Sequence, residues 1–256
     1  MLGEERREYI LNLILKTGSV KAADIAKTLG ISETTIRRDL NKLSKKGLVR
    51  RTYGGAIANS GTSVGSELKF DIQKEKYIEE KKRIALAAAS LINEGDVILI
   101  EAGTTGYQTA LNITNKKNLT VITNSYDIAS MLGKTNPEFT IILSGGILRP
   151  ETRSLIGPLA DLLLENINVD KAFIGISGID IKKGITSADL LEAQTKKKII
   201  ECAKQVIALC DHSKIGHVAM NFVAPINKIN IFITDSAADR QFLEKLKSLK
   251  ISVITA

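Results

Sequence analysis

The chain has 256 residues, 44% of them hydrophobic and 25% charged, the composition of a globular protein rather than a disordered or fibrous one. Apolar runs such as Val97 to Ile100 and Phe139 to Leu143 are only strand length, far short of the roughly 20 residues of a membrane span. The net charge of +8 is unevenly placed: residues 1–58 hold twelve Lys and Arg against six Asp and Glu, whereas residues 59–256 hold 24 against 22. A small basic module joined to a nearly neutral larger one is the electrostatic pattern of a nucleic-acid reader with a second function attached.

The chain opens with Glu4-Glu5-Arg6-Arg7 and no apolar stretch, which argues against a secretory signal. Two cysteines cannot build a disulfide framework and suit a reducing compartment, so a cytoplasmic location with no membrane partner is expected. Three helical patterns follow in quick succession. Residues 4–16 align Tyr9, Ile10, Leu13 and Ile14; residues 21–29 align Ala22, Ile25, Ala26 and Leu29; residues 33–46 align Ile36, Leu40 and Leu43. Gly18 and Gly30 mark the breaks, and Ser32 stands at the N-cap position of the third helix. Two short extended runs then flank Gly54-Gly55.

Two short helices around a tight turn, the second of them basic, read as a helix-turn-helix. Burying Ile36, Leu40 and Leu43 turns Thr34, Thr35, Arg37, Arg38, Asn41 and Lys42 outward, where the first turns of a recognition helix meet base edges in the major groove. Arg50, Arg51 and Tyr53 on the Gly-Gly hairpin form the expected wing. Asp39 is expected to neutralise a neighbouring Arg or to cap locally.

The polar run Asn59 to Ser66 reads as a linker. The expected organisation is therefore a winged helix-turn-helix domain at 1–58, a linker at 59–66 and a second domain at 67–256. After a charged helical pattern from about Phe70 to Asn93, strands are expected at 96–101, 119–123, 139–144, 170–175, 205–210, 229–234 and 251–255. Helical stretches at 104–113, 126–133, 157–166, 188–203 and 238–248 fall between most of them. This alternation predicts an α/β domain with a mainly parallel sheet, whose ligands bind at the carboxyl ends of the strands.

The loops at those ends carry small and hydroxylated side chains. Gly103, Thr104 and Thr105 open a helix and make a natural anion cradle. Thr123, Asn124 and Ser125 follow the second strand, and Gly145 and Gly146 the third, with Arg149 close behind. Ordinary turn chemistry accounts for each loop alone; their coincidence at equivalent strand ends favours a phosphate or polyol site. The fourth loop adds Gly178, Asp180, Glu192 and Lys196. Asp180 and Glu192 can accept sugar hydroxyls, while Lys196 can meet a phosphate or pair with Glu192 at i,i+4. Lys214 is a further cation. Asp211-His212-Ser213 cannot converge as a triad because the three are contiguous. Ile128 stands where a P-loop ending at Gly133-Lys134-Thr135 needs its first Gly. The His and Cys residues lack metal-ligand spacing, so neither a metal nor another cofactor is expected.

Several motifs together resemble the DeoR family of bacterial transcription regulators. They are Glu5-Arg6-Arg7 with Ile10-Leu11, Ile25-Ala26 before Leu29, Thr35-Ile36-Arg37-Arg38-Asp39-Leu40, and the run from Gly47 to Ala56 with its Gly-Gly-Ala wing. The resemblance continues through Thr123-Asn124-Ser125, Ser144-Gly145-Gly146, Asp170-Lys171-Ala172-Phe173 and Asp211-His212-Ser213-Lys214. It implies a repressor of a sugar-catabolism operon, bound to a double-stranded operator and released when a phosphorylated sugar binds the C-terminal domain. It also implies that this domain is similar in fold to ribose-phosphate isomerases and coenzyme A transferases, with Gly103-Thr104-Thr105 as the phosphate-binding turn. Family members usually carry Asp where this chain has Glu101.

Two other functions compete with this reading. One is a sugar-phosphate isomerase with a DNA-binding appendage, with Asp180 and Glu192 as an acid–base pair. The other is a sheet domain that serves only to dimerise the DNA reader. The basic module favours a regulator over an enzyme, and the hydroxyl-rich loops favour a ligand site over a scaffold. A homo-oligomer, at least a dimer, is expected because paired half-sites raise affinity through effective concentration.

Overall fold

The computed structural model describes residues 3–45, 48–58 and 70–256. The segment 59–69, which contains the expected linker, lies outside the described residues. The chain divides into two compact units. The first holds the N-terminal residues together with Asp71–Lys76; the second holds Phe70 and Tyr77–Ala256.

The first unit runs α1 (Gly3–Thr17), β1 (Ser19–Lys21), α2 (Ala22–Leu29), α3 (Glu33–Lys45), β2 (Val49–Thr52) and β3 (Gly55–Ala58). Ile10, Leu11 and Ile14 of α1, Ala22 and Ile25 of α2, and Ile36, Leu40 and Leu43 of α3 share one core with Val49 and Ala56. Gly30 ends α2 in the left-handed region at φ 63°, a conformation that costs an L side chain roughly 1–2 kcal/mol, so the turn between the helices is built on a residue that adopts it freely. Ser32 Oγ accepts the Thr35 N–H at 3.3 Å and caps α3. The wing is a three-stranded antiparallel sheet in the order β1-β3-β2. Its strand β1 has only three residues, too few for a period to show.

Next in the chain come α4 (Phe70–Glu75), whose residues from Asp71 on group with the first unit, and α5 (Ile78–Ser90) of the second. The single helical pattern expected over 70–93 is thus broken, at Tyr77, which takes φ 54° and ψ 42°. There follow β4 (Val97–Ile100), α6 (Thr104–Leu111), β5 (Thr120–Thr123), α7 (Tyr126–Thr135), β6 (Thr140–Leu143), β7 (Ile147–Arg149), β8 (Ser154–Ile156) and α8 (Pro158–Glu165). The chain continues through β9 (Val169–Gly175), β10 (Gly178–Asp180), β11 (Gly184–Ser187), α9 (Leu190–Glu201), β12 (Ala203–Leu209), β13 (Asn221–Ala224), β14 (Ile231–Thr234), α10 (Arg240–Ser248) and β15 (Ser252–Thr255).

All seven strands read from the sequence lie in one parallel sheet, ordered β15-β14-β12-β9-β4-β5-β6. Alternate residues feed opposite faces. Ile98, Ile100, Phe173, Ile207, Leu209 and Ile233 pack with α5, α6 and α7. Leu99, Ala172, Ile174, Ala208 and Phe232 pack with α8, α9 and α10. Burial on both faces is why these strands read as continuous apolar runs. From β4 the chain steps outward to β5 and β6, then returns to β9 on the other side of β4. The reversal makes the carboxyl ends of β4 and β9 the switch point of the sheet, and open α/β sheets hold ligands in the crevice at such a point. A hairpin of β7 with β8 and a small antiparallel sheet β10-β11-β13 supply further loops.

Candidate functional site

On α3, Ile36, Asp39, Leu40 and Leu43 are buried, and Thr34, Arg37, Arg38, Asn41 and Lys42 are exposed, with Thr35 half-buried. Asp39 is held from α1, accepting from Arg6 Nε at 2.6 Å and Arg7 Nη1 at 3.4 Å. The partners of this buried carboxylate therefore lie on the first helix rather than beside it on α3. Arg37 pairs with Glu33 one turn back at 2.7 Å. Arg38, Lys42 and Arg50 make no side-chain hydrogen bond or ion pair among the described residues. On the wing, Arg51 donates to the Gly55 carbonyl and so straps the hairpin turn, while Tyr53 is fully exposed at its tip. The face combines unpaired cations, hydroxyls and one solvent-facing ring, the chemistry of a nucleic-acid interface.

The crevice is built around Glu101, directly after β4. Its Oε2 accepts the Gly175 N–H at the end of β9 at 2.9 Å and lies 3.2 Å from Lys196 Nζ of α9. Lys196 also donates to the Gly175 carbonyl. Glu101 and Lys196 are 6% and 5% exposed, so both charges are out of water. Burial pushes the Glu101 carboxyl up to about 7; the Lys196 ammonium pulls against that rise, and the negative charge of Glu192 adds to it.

Beside this pair, Arg149 reaches Glu192 at 2.6 Å and Asp189 at 3.7 Å. Glu192 also accepts from Thr152 Oγ1 at 2.8 Å and Ser154 Oγ at 3.0 Å. The i,i+4 pairing of Lys196 with Glu192 that the helix spacing allows is not made. Lys196 turns to Glu101 and Glu192 turns to Arg149, contacts across the fold that spacing along one helix cannot reveal.

Gly103, at φ 146°, lets the chain swing from β4 into α6, where no side chain caps the first turn. Thr104 is half-buried and Thr105 buried. Thr123 and Ser125 are absorbed by turn chemistry: Thr123 Oγ1 donates to the Ile100 carbonyl at 2.6 Å, and Ser125 Oγ caps α7 through the Ile128 N–H at 3.2 Å. Asn124 ties two loops together, accepting the Ala102 N–H at 2.8 Å and donating to the Leu155 carbonyl at 3.3 Å. Gly145 and Gly146 join β6 to β7.

Asp180 and Gly178 fall on the β10–β11 hairpin. The Asp180 carboxylate accepts the N–H groups of Lys182 and Lys183 at 2.8 and 2.9 Å, bonds that hold it below the ordinary carboxylate range. Its two anchors belong to the turn, and it pairs with neither Glu101 nor Glu192. Lys214 is half-buried beyond the end of β12, and its ammonium has no hydrogen-bond or ion-pair partner among the described residues.

Two readings of individual groups resolve cleanly. Ser213 bonds to Asp211, whereas His212 Nδ1 meets Asp235 at 3.0 Å, so these neighbours serve separate contacts. Asp170 accepts from Lys204 at 2.8 Å and from the Val97 N–H at 3.0 Å, and Lys171 pairs with Asp96. This motif braces the amino ends of the strands, opposite the crevice. Among the described residues no group of three His, Cys, Asp or Glu side chains is placed to hold a metal ion. No helix among them is long and apolar enough to cross a membrane.

A winged helix-turn-helix with an open basic face, joined to a parallel α/β unit with a charged strand-end crevice, defines a DNA-binding regulator with a sensor domain. The chain belongs to the DeoR family: residues 6–62 match the DeoR-like helix-turn-helix domain and residues 76–236 the DeoR C-terminal sensor domain. It is 38% identical to the HTH-type transcriptional repressor GlcR of Bacillus subtilis, over 96% of this chain and 93% of that protein. It is 33% identical to the regulator GlpR of Haloferax volcanii, over 99% and 98%. It is 34% identical to the glycerol-3-phosphate regulon repressor of Escherichia coli, over 91% and 90%. Relatives matched along nearly their whole length are regulators and repressors, so the chain is a transcriptional regulator and not an isomerase with an appendage. Among solved structures, the full-length sorbitol operon regulator SorC of Klebsiella pneumoniae is similar over 89% of this chain and 93% of its own at 14% identity, with a TM-score of 0.42. The ribose 5-phosphate isomerase of Plasmodium falciparum is similar over 53% and 52% at 18% identity, with a TM-score of 0.38.

Proposed function

We propose that this regulator represses a sugar-catabolism operon in the cytoplasm and leaves its operator when a phosphorylated sugar enters the crevice. The observation that carries the reading is the uncapped start of α6 directly after the buried Glu101–Lys196 pair at the switch point of the sheet, with Arg149 paired to Glu192 on the same helix as Lys196. A dianionic phosphate fits the backbone N–H groups at Gly103, Thr104 and Thr105, and sugar hydroxyls fit Glu192 and Asn124, with Lys214 as the cation free to balance charge. Asp180, committed to its turn, has a weaker claim. Thr34, Thr35, Arg37, Arg38 and Lys42 are assigned to the major groove and Arg50, Arg51 and Tyr53 to the flanking backbone. The E. coli relative named for the glycerol-3-phosphate regulon supports a phosphorylated polyol or sugar as the effector class.

The working species in this reading is a homo-oligomer, at least a dimer. One winged helix covers little DNA, and two tethered copies on paired half-sites bind far more tightly. Light scattering at micromolar concentration tests this, and a monomer both with and without operator contradicts it. For the effector, a thermal-shift screen with phosphorylated sugars is decisive. A binder raises the melting temperature by linkage and lowers operator affinity; if no compound does both, the reading fails.

A further inference from the structure

Helices α8 and α9 carry an apolar surface on their solvent side. On α8, Ala160 and Leu164 are buried in the core, whereas Leu159 and Leu162, three residues apart on the outer stripe, are 69% and 58% exposed. Helix α9 runs beside α8 in the same direction: Thr195 Oγ1 donates to Asp161 at 2.7 Å, and Lys198 meets Glu165 at 2.9 Å one turn further on. At the start of α9, Leu190 and Leu191 are both exposed. The hairpin strand β7 adds exposed Ile147 and Leu148 at the same edge. Arg149 ties β7 to Asp189 and Glu192, the residues that bracket the two leucines, and the Ile147 side chain lies against Gly157, where α8 begins.

Single exposed leucines are ordinary, but these six side chains come from three adjoining elements. Together they expose roughly 600 Å² of apolar surface, the top of the range for the largest patch on a monomer. Each partner in a standard interface gives roughly 800 Å², about two thirds of it apolar in homodimers, so the patch is large enough to be the core of one. Its rim mixes signs, with Glu165 paired to Lys198 and Lys197 to Glu201 at 4.0 Å. Nucleic acid or anionic lipid would call for a cationic rim. A two-fold contact between copies asks instead for a face that matches itself, and leucines meeting leucines inside a rim of both signs do so without setting like charges together. We infer that this face of α8, α9 and β7 is where a second copy of the chain docks. The inference rests on the proposed homo-oligomer and names the surface that forms it.

Light scattering and sedimentation of the full-length chain test the surface. Leu159→Glu with Leu162→Glu on α8, and Leu190→Glu on α9, place charge where the side chains already face solvent, so the circular dichroism of the folded chain is expected to be kept. Each variant is expected to raise the dissociation constant of the oligomer at least about tenfold, and to give monomers at micromolar concentrations where the unmodified chain is assembled. Leu86→Glu, on α5 across the sheet and 63% exposed, is the control and is expected to leave assembly unchanged. Where the charged α8 pair does not fold, Leu159→Ser with Leu162→Ser is expected to weaken assembly in the same direction. A monomeric unmodified chain, with and without duplex DNA, overturns the homo-oligomer and this surface together. An oligomer that persists unchanged in both the α8 and the α9 variants overturns the surface alone and gives the patch to the chain's own first unit or to a different protein. Equal weakening by Leu86→Glu also sinks it, since assembly would then respond to charge anywhere on the unit.

Discussion

Glu101 Oε2 stands 3.2 Å from Lys196 Nζ at the point where the sheet reverses its order, although the two residues lie 95 positions apart in the chain. The pair joins the end of β4 to α9, and the shared partner Gly175 adds the end of β9. Three elements that frame the crevice are therefore locked by one carboxylate and one ammonium, and the carboxylate titrates near neutrality.

That placement gives a pH signature. The Glu101 carboxyl sits at about 7 in the fold against 4.5 for the unperturbed group. Between those values the folded state holds a proton that the unfolded chain has lost, so this group's stabilising contribution falls as pH rises through the window. The full effect is about 3 kcal/mol, complete once pH exceeds the folded value. Glu101→Gln removes the titration and is expected to flatten stability between pH 5 and 7, as measured by urea unfolding at several pH values. A slope identical to that of the unmodified protein contradicts the assignment.

Asp39 is the corresponding anchor in the first unit. It is buried, and Arg6 and Arg7 of α1 are its ionic partners among the described residues. Asp39→Ala leaves two guanidinium groups facing a cavity and is expected to destabilise the N-terminal unit by roughly 3 kcal/mol, while the sheet unit is untouched. Calorimetry should show the loss in the transition that operator DNA stabilises. If Asp39 acted only at the DNA surface, affinity would fall with no change in melting.

Most of the fold was legible because its signals are local. Alternating burial on two faces makes Val97 to Ile100 and Val206 to Leu209 read as strands, and Ser32, Gly30 and the apolar stripe of α3 announce the helix-turn-helix. The hairpin Ile147–Arg149 with Ser154–Ile156 and the sheet of Gly178–Asp180, Gly184–Ser187 and Asn221–Ala224 escaped because polar residues and glycines break up their short apolar runs. Tyr77 escaped because neither Gly nor Pro marks the break, and the ring it meets, His212, lies far along the chain. At the crevice, the residue types were readable but their partners were not. Nothing in the sequence tells that Lys196 faces Glu101, or that Thr123 and Ser125 are spent on turns.

The two arginines proposed for base readout should not be equivalent. Arg37 must leave Glu33 to reach a base, whereas Arg38 is unpaired among the described residues. Replacing Arg38 with Ala is expected to cost about 1–3 kcal/mol of specific binding and to relax base preference at one position. Arg37→Ala should cost less, because the exchange of Glu33 for DNA offsets part of its contact. Arg50→Ala should weaken all duplexes alike and reduce the salt slope by about one. Binding titrations on selected and scrambled duplexes at several salt concentrations separate these outcomes; equal losses on both duplexes for Arg38→Ala would remove it from base readout.

The start of α6 carries the most direct test of the effector site. Thr104 and Thr105 are there with no side-chain cap on the helix, and the backbone N–H groups of its first turn are the proposed anion cradle. Replacing both threonines with Ala removes two hydroxyls without touching the DNA face, so operator affinity is expected to stay within about twofold. Loss of two hydrogen bonds to a charged phosphate, at roughly 1.5–3 kcal/mol each, should raise the effector concentration needed for release at least tenfold. Lys214→Ala should act in the same direction, since its ammonium is free to meet the added charge. Operator-release curves with a sugar phosphate identified by thermal shift decide the matter. Should the double variant release DNA at the same concentration as the unmodified protein while Lys214→Ala does not, the phosphate lies at the end of β12 rather than at α6, and the assignment of Gly103, Thr104 and Thr105 is wrong.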